Sequence, residues 1–283
     1  MIIVNKINCG KISLMIKILI NYIRDFKNYF FPIKNPFGKK ILASKDYYLN
    51  VFEEAKKEIF PEIDNFEKFC NFKIEKVWLD NLALHTQVVK KKSKINYQHG
   101  RILYSALRNY INQNKVKNIN ILEIGTARGF SAICMSKAIN DSEIEGIVNT
   151  IDIISNDKSI YWNCIDDHDS KKTRKELLKN WKEEFKNINF LTGPSSFILK
   201  KLNKDRIHFA YIDGMHDYFN TKKEFNFISQ RQLGGDQIIF DDYSYKFPDI
   251  IRLVKEISEE KVYEARIISS SPDRSYVIIN KLK

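Results

Sequence analysis

From Asn118 onward, short apolar runs alternate with amphipathic stretches. The runs are INILEIG, IVNTIDI, INFLTG, IHFAYIDG and DQIIFDDY, and the stretches between them are SAICMSKAI, KKTRKELLKNWKEEF, PSSFILKKL and NTKKEFNFISQ. Strands that alternate with helices of this length predict a parallel sheet covered on both faces. After PDIIRLVKEI, two β-rich pieces, EARIISSS and SYVIINK, flank the turn SPDR and predict an antiparallel hairpin that closes one edge. Upstream, residues 46–114 are helical in pattern, and YQHGRILYSALRNYI places Ile102, Leu103, Ala106 and Tyr110 on one face, suited to packing against the sheet. FPIKNPFGKK, residues 31–40, reads as a linker. The expected organisation is a basic amphipathic segment with its linker over 1–40, a helical region over 41–117 and an α/β domain over 118–283.

Length and charge bound this picture. The 283 residues suffice for one large α/β domain with an extension. A net charge of +12 admits an anionic partner, but the lysines are spread out and no Arg-rich, aromatic-interleaved patch occurs, so no specific nucleic acid is expected. Four separated cysteines form no CxxC pair, which argues against a zinc knuckle and fits a reducing cytoplasm. KISLMIKILINYIRDFKNYFFPIK is interrupted by Lys17 and Arg24 and is too short for a span. No small-residue cleavage site follows it. It is expected to be an amphipathic helix that packs on the body or a partner, or lies on the inner face of a membrane.

The chemistry concentrates at strand ends. In LEIGTARGF, Glu123, Gly125 and Gly129 sit where a first strand turns into a helix, the place where open α/β sheets bind ligands. The spacing is ExGxxxG rather than the GxGxxG of dinucleotide sites, and a carboxylate there repels phosphate but suits a ligand with an amine or sulfonium. Asp152, ending the second strand, can accept both hydroxyls of a ribose, or simply cap a helix. Together the two carboxylates and the glycine turn favour an adenosine ligand with a positively charged tail.

LEIGTARGFSAI, TIDI, IDGMHDY and GGDQIIFDDY, in that order, resemble a class I S-adenosylmethionine-dependent methyltransferase. The subgroup is that of catechol O-methyltransferase and the bacterial sugar and macrolide-sugar O-methyltransferases, and the likeness covers roughly residues 98–283. It implies a doubly wound, Rossmann-like seven-stranded sheet with the last strand antiparallel. It also implies that Glu123 and Gly125 lie near the methionine part of the cofactor, with Thr126, Gly129 and Ser131 in the same binding set. Asp152 would then hold the ribose, Gly193 and Ser195 in TGPSS would border the adenine, and Asp213 would touch the cofactor as well.

Asp213 ends one predicted strand, and Asp241 and Asp242 end the next. Neighbouring strands lie about 4.8 Å apart, so the three carboxylates can converge. A divalent cation would relieve their repulsion, and oxygen-only ligands suit Mg²⁺, Ca²⁺ or Mn²⁺; alternatively each aspartate caps the next turn. The resemblance implies that Asp213, Asp241 and Asp242 hold the ion, which would lower the pKa of the hydroxyl to be methylated. His216, three residues after Asp213, is a candidate general base, with Asp213 as the other. CIDDHDSKK around His168 reads as a helix start capped by Asp169 or Ser170, with a lid or second metal site as alternatives. Trp162 and Trp181 would line an acceptor pocket or the core, and His99 is read as structural before functional.

The sequence therefore predicts a cytoplasmic methyltransferase, assisted by Mg²⁺ or another divalent cation, that acts on a hydroxyl of a sugar, glycan or other small molecule. A nucleic-acid acceptor is disfavoured by the lack of an NPPY-type turn. A non-catalytic module of a glycan-assembly complex is disfavoured by the intact acids and glycines. A peripheral membrane or partner contact through 1–40 and a homo-oligomer stay open.

Overall fold

The computed structural model describes residues 16, 19–31 and 35–282. The leading part of the basic N-terminal segment thus lies outside the described residues. Helix α1 spans residues 19–30, and α2 (Lys45–Lys57), α3 (Pro61–Cys70), α4 (Lys76–Thr86) and α5 (His99–Asn114) follow. The α/β part then runs β1 (Asn118–Ile124), α6 (Phe130–Asp141), β2 (Glu145–Asp152), α7 (Arg174–Leu177), α8 (Lys182–Phe185), β3 (Ile188–Thr192), α9 (Ser195–Lys201) and β4 (Phe209–Ile212). It finishes with α10 (Tyr218–Ser229), β5 (Gln237–Phe240), α11 (Pro248–Glu259), β6 (Tyr263–Ser271) and β7 (Arg274–Lys281).

The strand order is β3-β2-β1-β4-β5-β7-β6. Strands β1 to β5 pair in parallel, and β7 runs antiparallel to β5. The hairpin partner β6 takes the edge. This is the predicted doubly wound, Rossmann-like seven-stranded sheet with an antiparallel last strand.

Period-two alternation sorts the strand residues between two cores. Ile119, Ile121, Phe209, Tyr211, Ile239 and Ile278 face a core built with α2 to α6. Leu122, Ile124, Ala210, Ile212, Ile238 and Phe240 face α9, α10 and α11. Both faces are covered, which explains why these strands read as continuous apolar runs.

Two local expectations change. KKTRKELLKNWKEEF is two short helices, because Leu177 packs with Trp162 while Leu178 and Trp181 pack in the larger core, and one unbroken helix would hold them on a common arc. The N-cap of α7 is Thr173, in a capping box with Glu176, rather than Asp169 or Ser170. Residues 35–40 are not a free spacer either. Asn35 donates to the carbonyl of Tyr161 at 2.7 Å, and the Phe37 ring lies 4.0 Å from the Arg128 guanidinium. Among the described residues no helix is long and apolar enough to cross a membrane.

Candidate functional site

Strand order reverses between β1 and β4, and there a cavity of about 520 Å³ opens beyond the strands' carboxyl ends. Gly125, Asp152, Gly193, Ser195 and Asp213 line it. Gly125 makes the close approach possible. Its φ is +105°, and a Cβ there would stand 2.0 Å from the carbonyl oxygen of Asp213. The turn continues through Ala127, a non-glycine residue at φ 45°. Its N–H donates to Asp152 Oδ2 at 2.6 Å, and its carbonyl accepts from Arg174 Nε at 3.0 Å. Asp152 Oδ1 accepts from the N–H of Ile154 at 2.8 Å, so the carboxylate is fixed facing the cavity. Burial raises its pKa, against the pull of Arg174 and the backbone donors.

The other turn residues support the site from behind. Glu123 is fully buried and does not line the cavity; it accepts from Thr150, whose hydroxyl also meets Thr126 at 2.5 Å. Burial pushes the Glu123 carboxyl up to about 7, although the Ser131 and Thr150 hydroxyls work against it. Gly129, at φ 91°, caps α6, and Ser131 is buried in that helix's first turn. Of the predicted cofactor set, then, Glu123, Thr126, Gly129 and Ser131 shape the turn, whereas Gly125, Asp152, Gly193, Ser195 and Asp213 face the space.

At the strand-end rim, one predicted ligand is spoken for. Asp241 has a fully buried side chain, and its oxygens accept from Tyr211 Oη at 2.6 Å, Arg274 Nε at 3.1 Å and its neighbour's N–H at 2.6 Å, with Arg274 Nη2 also bound. Burial would raise its pKa, but the guanidinium and, to a lesser degree, His99 outweigh that and hold it well below the usual carboxylate range. A divalent ion at Asp241 would have to displace Arg274, which sets Asp241 apart from the other two predicted ligands, Asp213 and Asp242. His216 joins the remaining two instead. Its Nε2 lies 3.3 Å from Asp242 Oδ2 and 3.7 Å from Asp213 Oδ1, with its ring 4.6 Å from that of Phe247. The ligand atoms of Asp213, His216 and Asp242 all fall within 4.8 Å of one another. Burial, with the charge of Asp241 next, pushes both Asp213 and Asp242 upward. Asp242 holds φ 54°, in the left-handed region that non-glycine residues rarely adopt.

Several contributors escaped the sequence pattern. Asp25 and Asn28 of α1, Pro36 and Phe37, and Asn220 and Glu224 of α10 also line the cavity. Asp25 accepts from Ser196 at 2.7 Å, and the Tyr29 ring stacks on Phe197 at 5.2 Å, so α1 forms a wall. Arg274 was legible only as part of the turn SPDR. By contrast, Trp162 and Trp181 are core residues. His99 is buried between Phe130 and Tyr211, where burial drives its pKa down to about 3. His168 bonds the carbonyl of Ala43 at 2.8 Å, and Asp167 accepts from the N–H groups of Trp162 and Asn163, so CIDDHDSKK is a structural knot.

A cavity with Asp25, Asp152, Asp213 and Glu224 on its walls suits a cationic ligand. Residues 122–243 match the model of a family described as a methyltransferase domain. Among solved structures, the O-methyltransferase NovP is similar at 16% identity, covering 73% of this chain and 99% of that one, with a TM-score of 0.53. The O-methyltransferase TomG from Streptomyces achromogenes, in complex with SAM, gives 13%, 75%, 92% and 0.50. Cofactor-bound Rv0187 from MTB gives 14%, 82%, 95% and 0.50. At such identities the likeness is one of fold. No curated protein is similar to the chain at a significant level. The strands that end at the switch-point cavity fall largely within the matched segment, so residues 122–243 are similar to a methyltransferase domain and the cavity with its acidic walls is the candidate ligand site.

Proposed function

We propose that the protein transfers the methyl group of S-adenosylmethionine to a hydroxyl of a sugar, glycan or other small molecule, with His216 as general base. The observation that carries this is the placement of His216 between Asp242 and Asp213, the latter a residue of the cavity wall. Two carboxylates beside one imidazole orient the ring and stabilise the imidazolium formed when it takes a proton. The acceptor oxygen attacks the sulfonium methyl in line, the carbon–sulfur bond breaks, S-adenosylhomocysteine leaves, and the hydroxyl proton passes to His216. Positioning of the two substrates contributes much of the rate. That NovP and TomG are both O-methyltransferases agrees with an oxygen acceptor.

The metal-assisted form is the second reading, and the close set of Asp213, His216 and Asp242 is what favours it. Those three residues would hold the ion, which would lower the pKa of the acceptor hydroxyl. With an imidazole in the set, Mn²⁺ or Fe²⁺ fits better than Mg²⁺. His216 cannot ligate and accept a proton at the same nitrogen, and Arg274 already supplies positive charge at the rim; the base role is preferred for that reason.

Calorimetric titration with S-adenosylhomocysteine tests the cofactor reading. Micromolar binding that disappears in Asp152→Ala supports it, and no binding to the wild type removes it. An acceptor screen read by mass spectrometry, run with EDTA and with Mn²⁺, then separates the two forms, since only the metal-assisted one stops in EDTA.

A further inference from the structure

Glu224 sits on the second turn of α10 with 3% of its surface exposed, yet it belongs to the cavity wall. Its Oε1 accepts the Ser195 hydroxyl at 2.5 Å. Its Oε2 is buried and has no hydrogen-bond partner. The carboxylate lies beside Gly214 of the loop after β4, where a Cβ would stand 3.8 and 3.9 Å from its two oxygens. Burial pushes the carboxyl up to about 7, with the Ser195 hydroxyl opposing and Asp217 and Asp25 adding to the rise. Most buried acceptors are paired, so this oxygen calls for a donor, from a ligand or a water.

The neighbourhood says which donor completes it. Around Glu224 the wall is Gly193, Pro194 and Ser195 on one side and Asp25 and Asn28 of α1 on the other, with Ile153 and Ile154 beside Asp152. If Asp152 holds the ribose, the base lies at the Ser195 end. Within that mostly apolar slot, one unpaired carboxylate oxygen demands an N–H donor at one place on the base edge.

Resting on the cofactor reading above, we infer that Glu224, oriented by Ser195, accepts a hydrogen bond from the 6-amino group of the cofactor's adenine and selects adenine over a 6-oxo purine. Above about pH 7, where Glu224 is ionised, a 6-oxo base would set its carbonyl oxygen against the free carboxylate oxygen, so the titrations are run at pH 8. A site built around one such bond rejects the analogue that lacks the donor far more strongly than an apolar pocket rejects a change of shape.

The test titrates the full chain with three ligands: S-adenosylhomocysteine, S-inosylhomocysteine and the 6-deamino purine homologue. The wild type is expected to bind the adenosyl compound at least ~100-fold more tightly than the inosyl compound, with the 6-deamino compound between them. In Glu224→Gln, the Ser195 hydroxyl holds the amide oxygen, so the amide nitrogen takes the place of Oε2 and offers a donor to the 6-oxo group. The preference for adenine should then shrink at least ~10-fold. If the adenosyl compound does not bind the wild type, the cofactor reading fails and this inference falls with it. If it binds but the inosyl compound binds within about threefold, or if Glu224→Gln keeps the full preference, the cofactor reading stands and the role of Glu224 is overturned. The wild-type comparison decides even if the variant does not fold.

Discussion

Replacing Glu123 by glutamine should change how stability depends on pH, and the structure sets the size. In the folded state the carboxyl is fully buried, with one oxygen held by Thr150. Burial lifts its pKa from 4.5 to about 7. Between those values the folded protein keeps a proton that the unfolded chain has released, so stability falls as pH rises through this window and levels off above it. At about 1.4 kcal/mol per pKa unit, a shift of this size corresponds to roughly 3 kcal/mol. That is a large part of a typical domain's stability, commonly about 5–15 kcal/mol. Glu123→Gln removes the titration. Below the unfolded pKa the variant should match the wild type closely, because both side chains are neutral. Toward pH 8 it should become the more stable by about 3 kcal/mol. Urea unfolding of both proteins at half-unit steps from pH 4 to 8 measures the difference directly. Glu224, raised to a similar value, contributes equally to both proteins and cancels. Curves that stay parallel across this range would refute the claim that burial keeps Glu123 protonated.

Other perturbations have comparably direct outcomes. Gly125→Ala meets both a φ of +105° and the Asp213 carbonyl; unfolding should show a loss of more than ~1 kcal/mol, and calorimetry a weaker affinity for S-adenosylhomocysteine. Arg274→Met strands the buried Asp241 carboxylate and should cost about 3–5 kcal/mol in urea unfolding, with Arg274→Lys recovering only part because a single ammonium cannot reproduce the guanidinium fork. A loss below ~1 kcal/mol would mean that water reaches Asp241. His216→Asn should lower kcat about 10²–10⁴-fold while leaving the affinity for S-adenosylhomocysteine unchanged. Equal losses in both would point to a role in binding.

The fold was legible because its signals are periodic and local. All seven strands fall on runs that apolar alternation marks out, and the turn SPDR separates β6 from β7 as expected. At the site, residues tied to strand ends were also visible, since topology alone brings Asp152, Asp213 and Asp242 to one rim. What stayed hidden depends on partners distant in sequence. Nothing in the pattern around Arg274 shows that its guanidinium reaches Asp241, thirty-three residues earlier, and so sets that acid apart from Asp213 and Asp242. Glu224 looks like any helical glutamate until α10 is packed beside the Ser195 turn. Residues 35–40 carry the prolines and glycine of a linker, but a composition rule cannot register that Asn35 and Phe37 are anchored on the loop after β2.

The order of the strands also has a consequence for synthesis. A ribosome delivers Asp213, Asp241 and Asp242 before Arg274, and β5 before the β7 strand that flanks it. Until the hairpin arrives, the nascent domain holds a cluster of acids without its guanidinium and an apolar β5 with one edge unpaired. Open edges of that kind recruit other chains. Partial translation products ending between β5 and β7 should therefore be the species that aggregate or engage chaperones, and the last pairing of the sheet closes the edge and neutralises the rim in a single event.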